Sequence, residues 1–211
     1  MTDVSAKAFY DLTSARRGHF QIESGHHSEL WLDLDALFSR PNQIAPFVSQ
    51  LTDSLRPHNV SAVCGPLLGG AFLAQLVAHE LQAQFYFTER LMPAEATGLY
   101  RASYHLPQAF RKSVRNQRIA IVDDVMSAGS ALRGTYHELQ NHGAVIAVAG
   151  ALMVFGTTGA DFFHGVGVPV TAVVRDEYNL WLPEACPLCR DGQPIENVAT
   201  RRVNGGDADG K

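Results

Sequence analysis

The sequence predicts an α/β fold, a parallel twisted sheet flanked by helices, with a small hood-like lobe added to it. Three observations carry that expectation. From about residue 59 to residue 175, strand-length apolar runs alternate with stretches of helical periodicity, the pattern of parallel strands joined by crossover helices. Two of those apolar runs, 60–64 and 118–122, end in small-residue loops that lead straight into helix-like runs. Before residue 59, apolar residues alternate with polar ones on both sides of Ser24-Gly25, which reads as a hairpin.

The elements follow in order. Residues 5–15 read as a helix. Phe20 and Ile22 then alternate with polar residues, Ser24-Gly25 turns the chain, and Leu30, Leu32 and Leu34 repeat with period two. Pro41 opens a helix carrying Ile44, Phe47, Val48, Leu51 and Leu55 on one face. These first 58 residues form the expected hood lobe, with 176–198 joining it. The expected core, 59–175, starts with a strand at 60–64, a loop at 65–70 and a helix at 71–81. A strand at 85–88 follows. Residues 89–116 are long, polar and poorly periodic, and a connection of that length inside a domain is usually functional. Part of it, 99–106, reads as a hairpin. Strands are expected at 117–122, 145–154 and 168–174, with a helix over 130–141. The polar, Gly-rich stretch 199–211 reads as a disordered tail.

Composition bounds the function. With 46% hydrophobic and 18% charged residues, the chain is a globular protein rather than a disordered one. A net charge of -4 lacks the basic footprint of a nucleic-acid binder. No apolar run approaches the roughly 20 residues of a membrane span. The first seven residues contain no apolar signal core, and three cysteines do not make a secreted disulfide framework. Cytoplasm, without nucleic-acid or membrane partners, is the expectation.

The most informative stretch is Asp123-Asp124-Val125-Met126-Ser127-Ala128-Gly129-Ser130-Ala131. Ser127, Ala128, Gly129, Ser130 and Ala131 are small enough for backbone N–H groups to close around a phosphate, with Gly129 free to take positive φ. The following helix aims its positive end at the same point. Asp123 and Asp124 would repel a phosphate and suit the hydroxyls of an adjoining sugar. Gly65-Pro66-Leu67-Leu68-Gly69-Gly70 lies one βα unit upstream, so both loops emerge at the carboxyl edge of one sheet.

Asp123 to Arg133 resembles the PRPP-binding signature of the type I phosphoribosyltransferases, and is most similar to the orotate branch. Ser127 and Ser130 stand where threonines are usual. The likeness extends over about residues 18–194. It implies the type I phosphoribosyltransferase fold, with the 5′-phosphate of PRPP in the 127–131 loop and the ribose hydroxyls on Asp123 and Asp124. By the same resemblance the 65–70 loop contacts pyrophosphate, and the hairpin residues Ser24, Gly25 and Ser28 contribute to the base pocket. It further implies Mg²⁺ carried by PRPP rather than by direct protein ligands, and a homodimer in which the long loop closes over the site. In that loop only Arg90 and Arg101 remain to stabilise the leaving charge, since 91–97 contains no Lys or Arg. Three further departures concern the base and the pyrophosphate. Glu23 stands where many orotate enzymes place a lysine, and Gly69 where some do. The Asp-Arg pair expected near Phe155 is absent, leaving Arg175 as the nearest alternative cation.

The implied reaction is Mg²⁺-dependent transfer of a 5-phosphoribosyl group from PRPP to a nitrogenous base. Orotate is the first choice, giving orotidine 5′-phosphate and pyrophosphate. Another base, purine or modified pyrimidine, and a PRPP-binding regulator with weak catalysis are the alternatives. Two features stand outside that site. His26 and His27 read as surface turn residues. Cys186 and Cys189 offer two thiolates, short of the four ligands of a structural zinc. They read as free thiols, with zinc the alternative if a symmetric dimer or a histidine completes the set.

Overall fold

The computed structural model describes residues 4–34, 36–92 and 99–198; the expected tail and the centre of the long loop lie outside them. Helix α1 (Ala6–Thr13), capped by the Ser5 hydroxyl, leads into the hairpin β1 (Arg16–Gln21) and β2 (His27–Trp31). Helix α2 (Pro41–Leu55) follows, with Pro41 in its first turn where no N–H is missed. The core then runs β3 (Ala62–Pro66), α3 (Gly69–Leu81), β4 (Gln84–Leu91), β5 (Ser103–His105), β6 (Arg118–Met126), α4 (Ser130–Asn141), β7 (Val145–Phe155), α5 (Thr158–Gly165) and β8 (Val170–Asp176). The chain closes with β9 (Leu180–Trp181), the short helix α6 (Pro187–Arg190) and β10 (Glu196–Asn197).

The large sheet has the order β5-β4-β3-β6-β7-β8. All its pairings are parallel except β4 with β5, where Arg90 faces Tyr104. β6 and β7 are almost wholly buried apolar runs, as strands covered on both faces must be. Phe47, Leu51, Leu73, Val77, Val122 and Leu152 belong to one buried cluster. Ile119, Ile121, Leu132, Leu139, Ile146 and Phe163 belong to a second. The small sheet has the order β10-β1-β2-β9. The hairpin is thus flanked on both edges by the C-terminal segment, β10 beside β1 and β9 beside β2.

Three boundaries differ from the sequence reading. Helix α2 was grouped with the hood, but Ile44, Phe47, Val48, Leu51 and Leu55 pack into the cluster beneath the large sheet. An amphipathic face reveals that a helix is buried without saying against what. Helix α5 (Thr158–Gly165) was not among the expected elements. Gly159 is there for close approach: its N–H donates to the Ser127 carbonyl at 3.0 Å, and a Cβ would lie 2.7 Å from that oxygen. Within 99–106 only β5 (Ser103–His105) is a strand, and it pairs with β4 instead of forming a hairpin within that stretch.

Candidate active site

The carboxyl ends of β3 and β6 open into one cavity of about 820 Å³, roofed by the hairpin. Of the residues expected to work together, Asp123, Asp124, Ser127, Ala128, Gly129, Ser130 and Ala131 line it from β6 and α4. Pro66, Leu67, Leu68, Gly69 and Gly70 line it from the loop before α3, Ser24 from the hairpin and Arg90 from β4.

β6 buries its first residues in the sheet and delivers Asp123 and Asp124 at its far end, exposed by only 8% and 6%. Burial, and next the charge of Asp124, push the Asp123 carboxyl well above the ordinary carboxylate range. Backbone amides partly compensate, since Asp124 N–H donates to Asp123 Oδ1 at 3.0 Å and Val125 N–H to Asp124 Oδ1 at 2.7 Å. The site therefore sets two buried acids beside the small-residue loop 127–131. In that loop Gly129 takes φ 73° and α4 begins at Ser130. The first turn of a helix leaves its N–H groups unpaired along the axis.

The two loops touch through their glycines. A Cβ on Gly69 would overlap Asp124 Oδ2, and one on Gly70 would lie 2.7 Å from Asp123 Oδ1. Gly65 does not line the cavity; its Cα faces the Gly70 carbonyl so closely that a Cβ there would overlap it. It shapes the loop from behind.

The hairpin reaches the site through Glu23. Its carboxylate accepts from Tyr104 Oη at 2.6 Å and Ser130 Oγ at 3.1 Å, and Arg90 Nε lies 3.1 Å away. One acid thus joins the hood, β4, β5 and the start of α4. Tyr104 Oη is pushed far up, by burial first and then by Glu23, so it remains a donor. Tyr100 N–H also donates to the Ser24 carbonyl at 2.9 Å, and its ring lies 4.0 Å from the Arg133 guanidinium.

Other expected residues fall outside the cavity lining. Gly25 forms the hairpin turn at φ 86°. Ser28 is fully buried, its hydroxyl donating to the Leu30 carbonyl at 2.7 Å. Arg175 is exposed and donates to the Val170 carbonyl, because strand alternation turns it away from the cavity. Arg101 does not line the cavity, although its Nε and Nη2 are buried without a hydrogen-bond partner among the described residues. His26 and His27 are not surface residues; each is 7% exposed, covered by Tyr100 and the C-terminal segment. Sequence reasoning missed Tyr104, Tyr178, Trp31 and Phe38, which also line the cavity. Tyr104 lies within the 99–106 stretch, where an aromatic among polar residues was the available signal.

No family model matches the chain. It is 29% identical over 184 residues to the orotate phosphoribosyltransferase of Thermotoga maritima, covering 87% of this chain and 91% of that one. It is 25% identical over 195 residues to the orotate phosphoribosyltransferase of Caldanaerobacter subterraneus subsp. tengcongensis, covering 92% and 95%. Over most of its length the chain is thus similar to orotate phosphoribosyltransferases. Solved structures share the fold. The orotate phosphoribosyltransferase of Aeropyrum pernix superposes with a TM-score of 0.61 at 21% identity, over 81% of this chain and 93% of that one. The adenine phosphoribosyltransferase of Thermoanaerobacter pseudethanolicus gives 0.58 at 14% identity, over 70% and 88%. These likenesses support a phosphoribosyltransferase enzyme. No helix among its described residues is long and apolar enough to cross a membrane.

Proposed function

We propose that this phosphoribosyltransferase moves a 5-phosphoribosyl group from PRPP to orotate, giving orotidine 5′-phosphate and pyrophosphate. The observation that carries the reading is a single cavity in which the Asp123-Asp124 pair, the 127–131 cradle and the 66–70 loop face one another. The names of the relatives support the choice of base.

Each part has a role set by its chemistry. Amides of the 127–131 loop, with the Ser127 and Ser130 hydroxyls, bind the 5′-phosphate. Asp123 and Asp124 accept from the ribose hydroxyls. As the bond from the ribosyl carbon to pyrophosphate breaks, pyrophosphate leaves with the electron pair, a base nitrogen bonds to that carbon, and that nitrogen's proton is released. Positive charge develops on the sugar, and the buried acids favour it. The backbone at Gly69 and Gly70, with Arg90, stabilises the leaving anion. Glu23 holds both Ser130 and Arg90, so it must release them as the phosphates arrive.

Mg²⁺ belongs to this reading. Two adjacent buried carboxylates, one pushed up by burial and its neighbour's charge, are hard oxygen donors suited to such an ion. Asp123 and Asp124 would hold it through the ribose hydroxyls they bind, and when bound it supplies neutralising charge for pyrophosphate. A homodimer in the cytoplasm completes the proposal, and light scattering tests the dimer.

One observation favours a second reading. Among the described residues lining the cavity, Arg90 is the only cation, and it already faces Glu23. Leu30, Leu32, Leu34, Phe155 and Tyr178 supply an apolar and aromatic wall that fits a neutral base as well as a carboxylate-bearing one. Pyrophosphate release from PRPP and Mg²⁺, measured with orotate and then with purine and modified pyrimidine bases, separates the two. The Asp123→Asn/Asp124→Asn double variant is the control. Release with orotate supports the first reading, and release only with a neutral base supports the second. Silence with every base would overturn both.

A further inference from the structure

A second cluster of reactive side chains lies outside the cavity lining. His19 stands on β1 and His27 on β2 of the hairpin, while in the C-terminal segment Cys186 immediately precedes α6 and Cys189 lies within it. One ligand atom from each of the four lies within 4.8 Å of all the others. We infer that these residues form a Cys₂His₂ site for one zinc ion, which clamps the C-terminal segment to the hood hairpin.

The distances carry the argument. Tetrahedral zinc with Zn–N near 2.05 Å and Zn–S near 2.3 Å sets its ligand atoms about 3.3 Å apart for N···N and about 3.6 Å apart for S···N. His19 Nε2 and His27 Nδ1 are 3.3 Å apart. Cys186 Sγ and Cys189 Sγ lie 3.4 Å and 3.7 Å from His19 Nε2, and Cys189 Sγ lies 3.3 Å from His27 Nδ1. Each observed separation falls within about 0.3 Å of the tetrahedral value.

Ordinary hydrogen bonding does not account for the same contacts. His19 Nδ1 sits 3.0 Å from the Gln193 carbonyl, which can only accept, so the ring proton is on Nδ1. Nε2 then carries one lone pair, yet it faces His27 and both thiols. A lone pair serves one donor or one metal ion, and an imidazole whose other nitrogen is held by a carbonyl is the usual oriented ligand. Two thiolates and two imidazoles at these separations select zinc over the harder cations. With four protein ligands and no open position, the site is structural.

The fold supplies a reason for the clamp. The segment it anchors is otherwise tied to the hairpin by two-residue strands, β9 and β10, and by the exposed Arg16–Glu196 pair. Such short pairings are weak in water. The hairpin they hold carries Glu23 and Ser24 into the cavity. The sequence reading left the remaining ligands open, to a symmetric dimer or to a histidine it could not name. The histidines lie more than 150 residues away in the chain, and His27 had been read as a surface residue.

The test uses the full chain, freed of any histidine tag and purified under reducing conditions. Zinc is measured by mass spectrometry of the metal, and the protein is also loaded with Co²⁺ to read its coordination by visible absorption. The expected result is about one zinc per chain, with tetrahedral thiolate-type cobalt bands. Cys189→Ser should lose at least about nine-tenths of the metal; Cys189 is exposed, so its packing is little disturbed. His27→Gln, checked for folding by circular dichroism, should lose as much, whereas Cys64→Ser should keep its zinc. Wild-type protein with less than about a tenth of an equivalent after reconstitution would overturn the proposal. So would a Cys186–Cys189 disulfide in the reduced preparation, or full zinc retention in Cys189→Ser.

Discussion

Replacing Gly69 by alanine adds a single methyl group at the point where the two loops meet. The new Cβ would overlap Asp124 Oδ2 and lie 3.4 Å from Phe38. Asp124 cannot swing aside freely, because its other oxygen accepts from Val125 N–H at 2.7 Å. Either the 66–70 loop shifts or that hydrogen bond is lost. Overpacking costs about 1–3 kcal/mol. For a chain of 211 residues that corresponds to a melting temperature lower by roughly 2–12 °C. The functional loss should be larger than the stability loss. A displacement of about 1 Å in a group that positions substrate can cost about 10²-fold in rate, so kcat/KM for PRPP should fall by at least about tenfold. The matched control is Gly165→Ala at the end of α5, where an added Cβ meets nothing within 4 Å. It should leave both melting temperature and activity near wild type. Differential scanning fluorimetry and steady-state pyrophosphate release measure the pair. Wild-type stability and activity in Gly69→Ala would refute the contact between the loop and Asp124, and with it the shared-site geometry.

Asp123→Asn should abolish turnover yet stabilise the protein without substrate. The folded state raises the Asp123 pKa, through burial and then Asp124, so above pH of about 4 the folded form holds a proton that the unfolded chain has lost. Stability should accordingly fall as pH rises from about 4 through that raised pKa, and the slope should shrink in Asp123→Asn; an unchanged slope in chemical denaturation would refute the assignment. Tyr104→Phe removes the 2.6 Å hydrogen bond to Glu23 while filling the same space. Glu23 keeps its other partners and some solvent access, so a loss of about 1–2 kcal/mol and roughly 2–8 °C is expected in a thermal melt. Arg90→Ala should reduce kcat/KM for PRPP by about 10²-fold. Arg101→Ala, at a residue outside the cavity lining, should reduce it less, and the reverse order in the same assay would exchange their roles.

The central strand, the two small-residue loops and the acidic pair were legible in the sequence because each is a local signal. An apolar run, a change to small residues and a following helical period all fall within about fifteen positions. Edge elements were harder to read. Thr158-Gly159 looks like a turn, and becomes a helix start because the Ser127 carbonyl is there to receive the Gly159 N–H. Arg175 sat at the right strand end, but side-chain alternation turned it out toward solvent, and its guanidinium settled on the Val170 carbonyl.

By itself, then, the sequence determined the α/β sheet, the acidic pair and small-residue loop at the end of β6, and the likeness to orotate phosphoribosyltransferases. Those depend on residue type and short spacing. The tertiary structure alone decided which side chains meet across the chain. Glu23 finds Tyr104 and Ser130 from 81 and 107 residues away. His19 finds Cys186 from 167 residues away. Helix α2 joins the large core instead of the hood. Such meetings are set by sheet order, by the strands β9 and β10 that flank the hairpin, and by the close approach of glycine backbones. None of these leaves a periodic trace in the residues that meet.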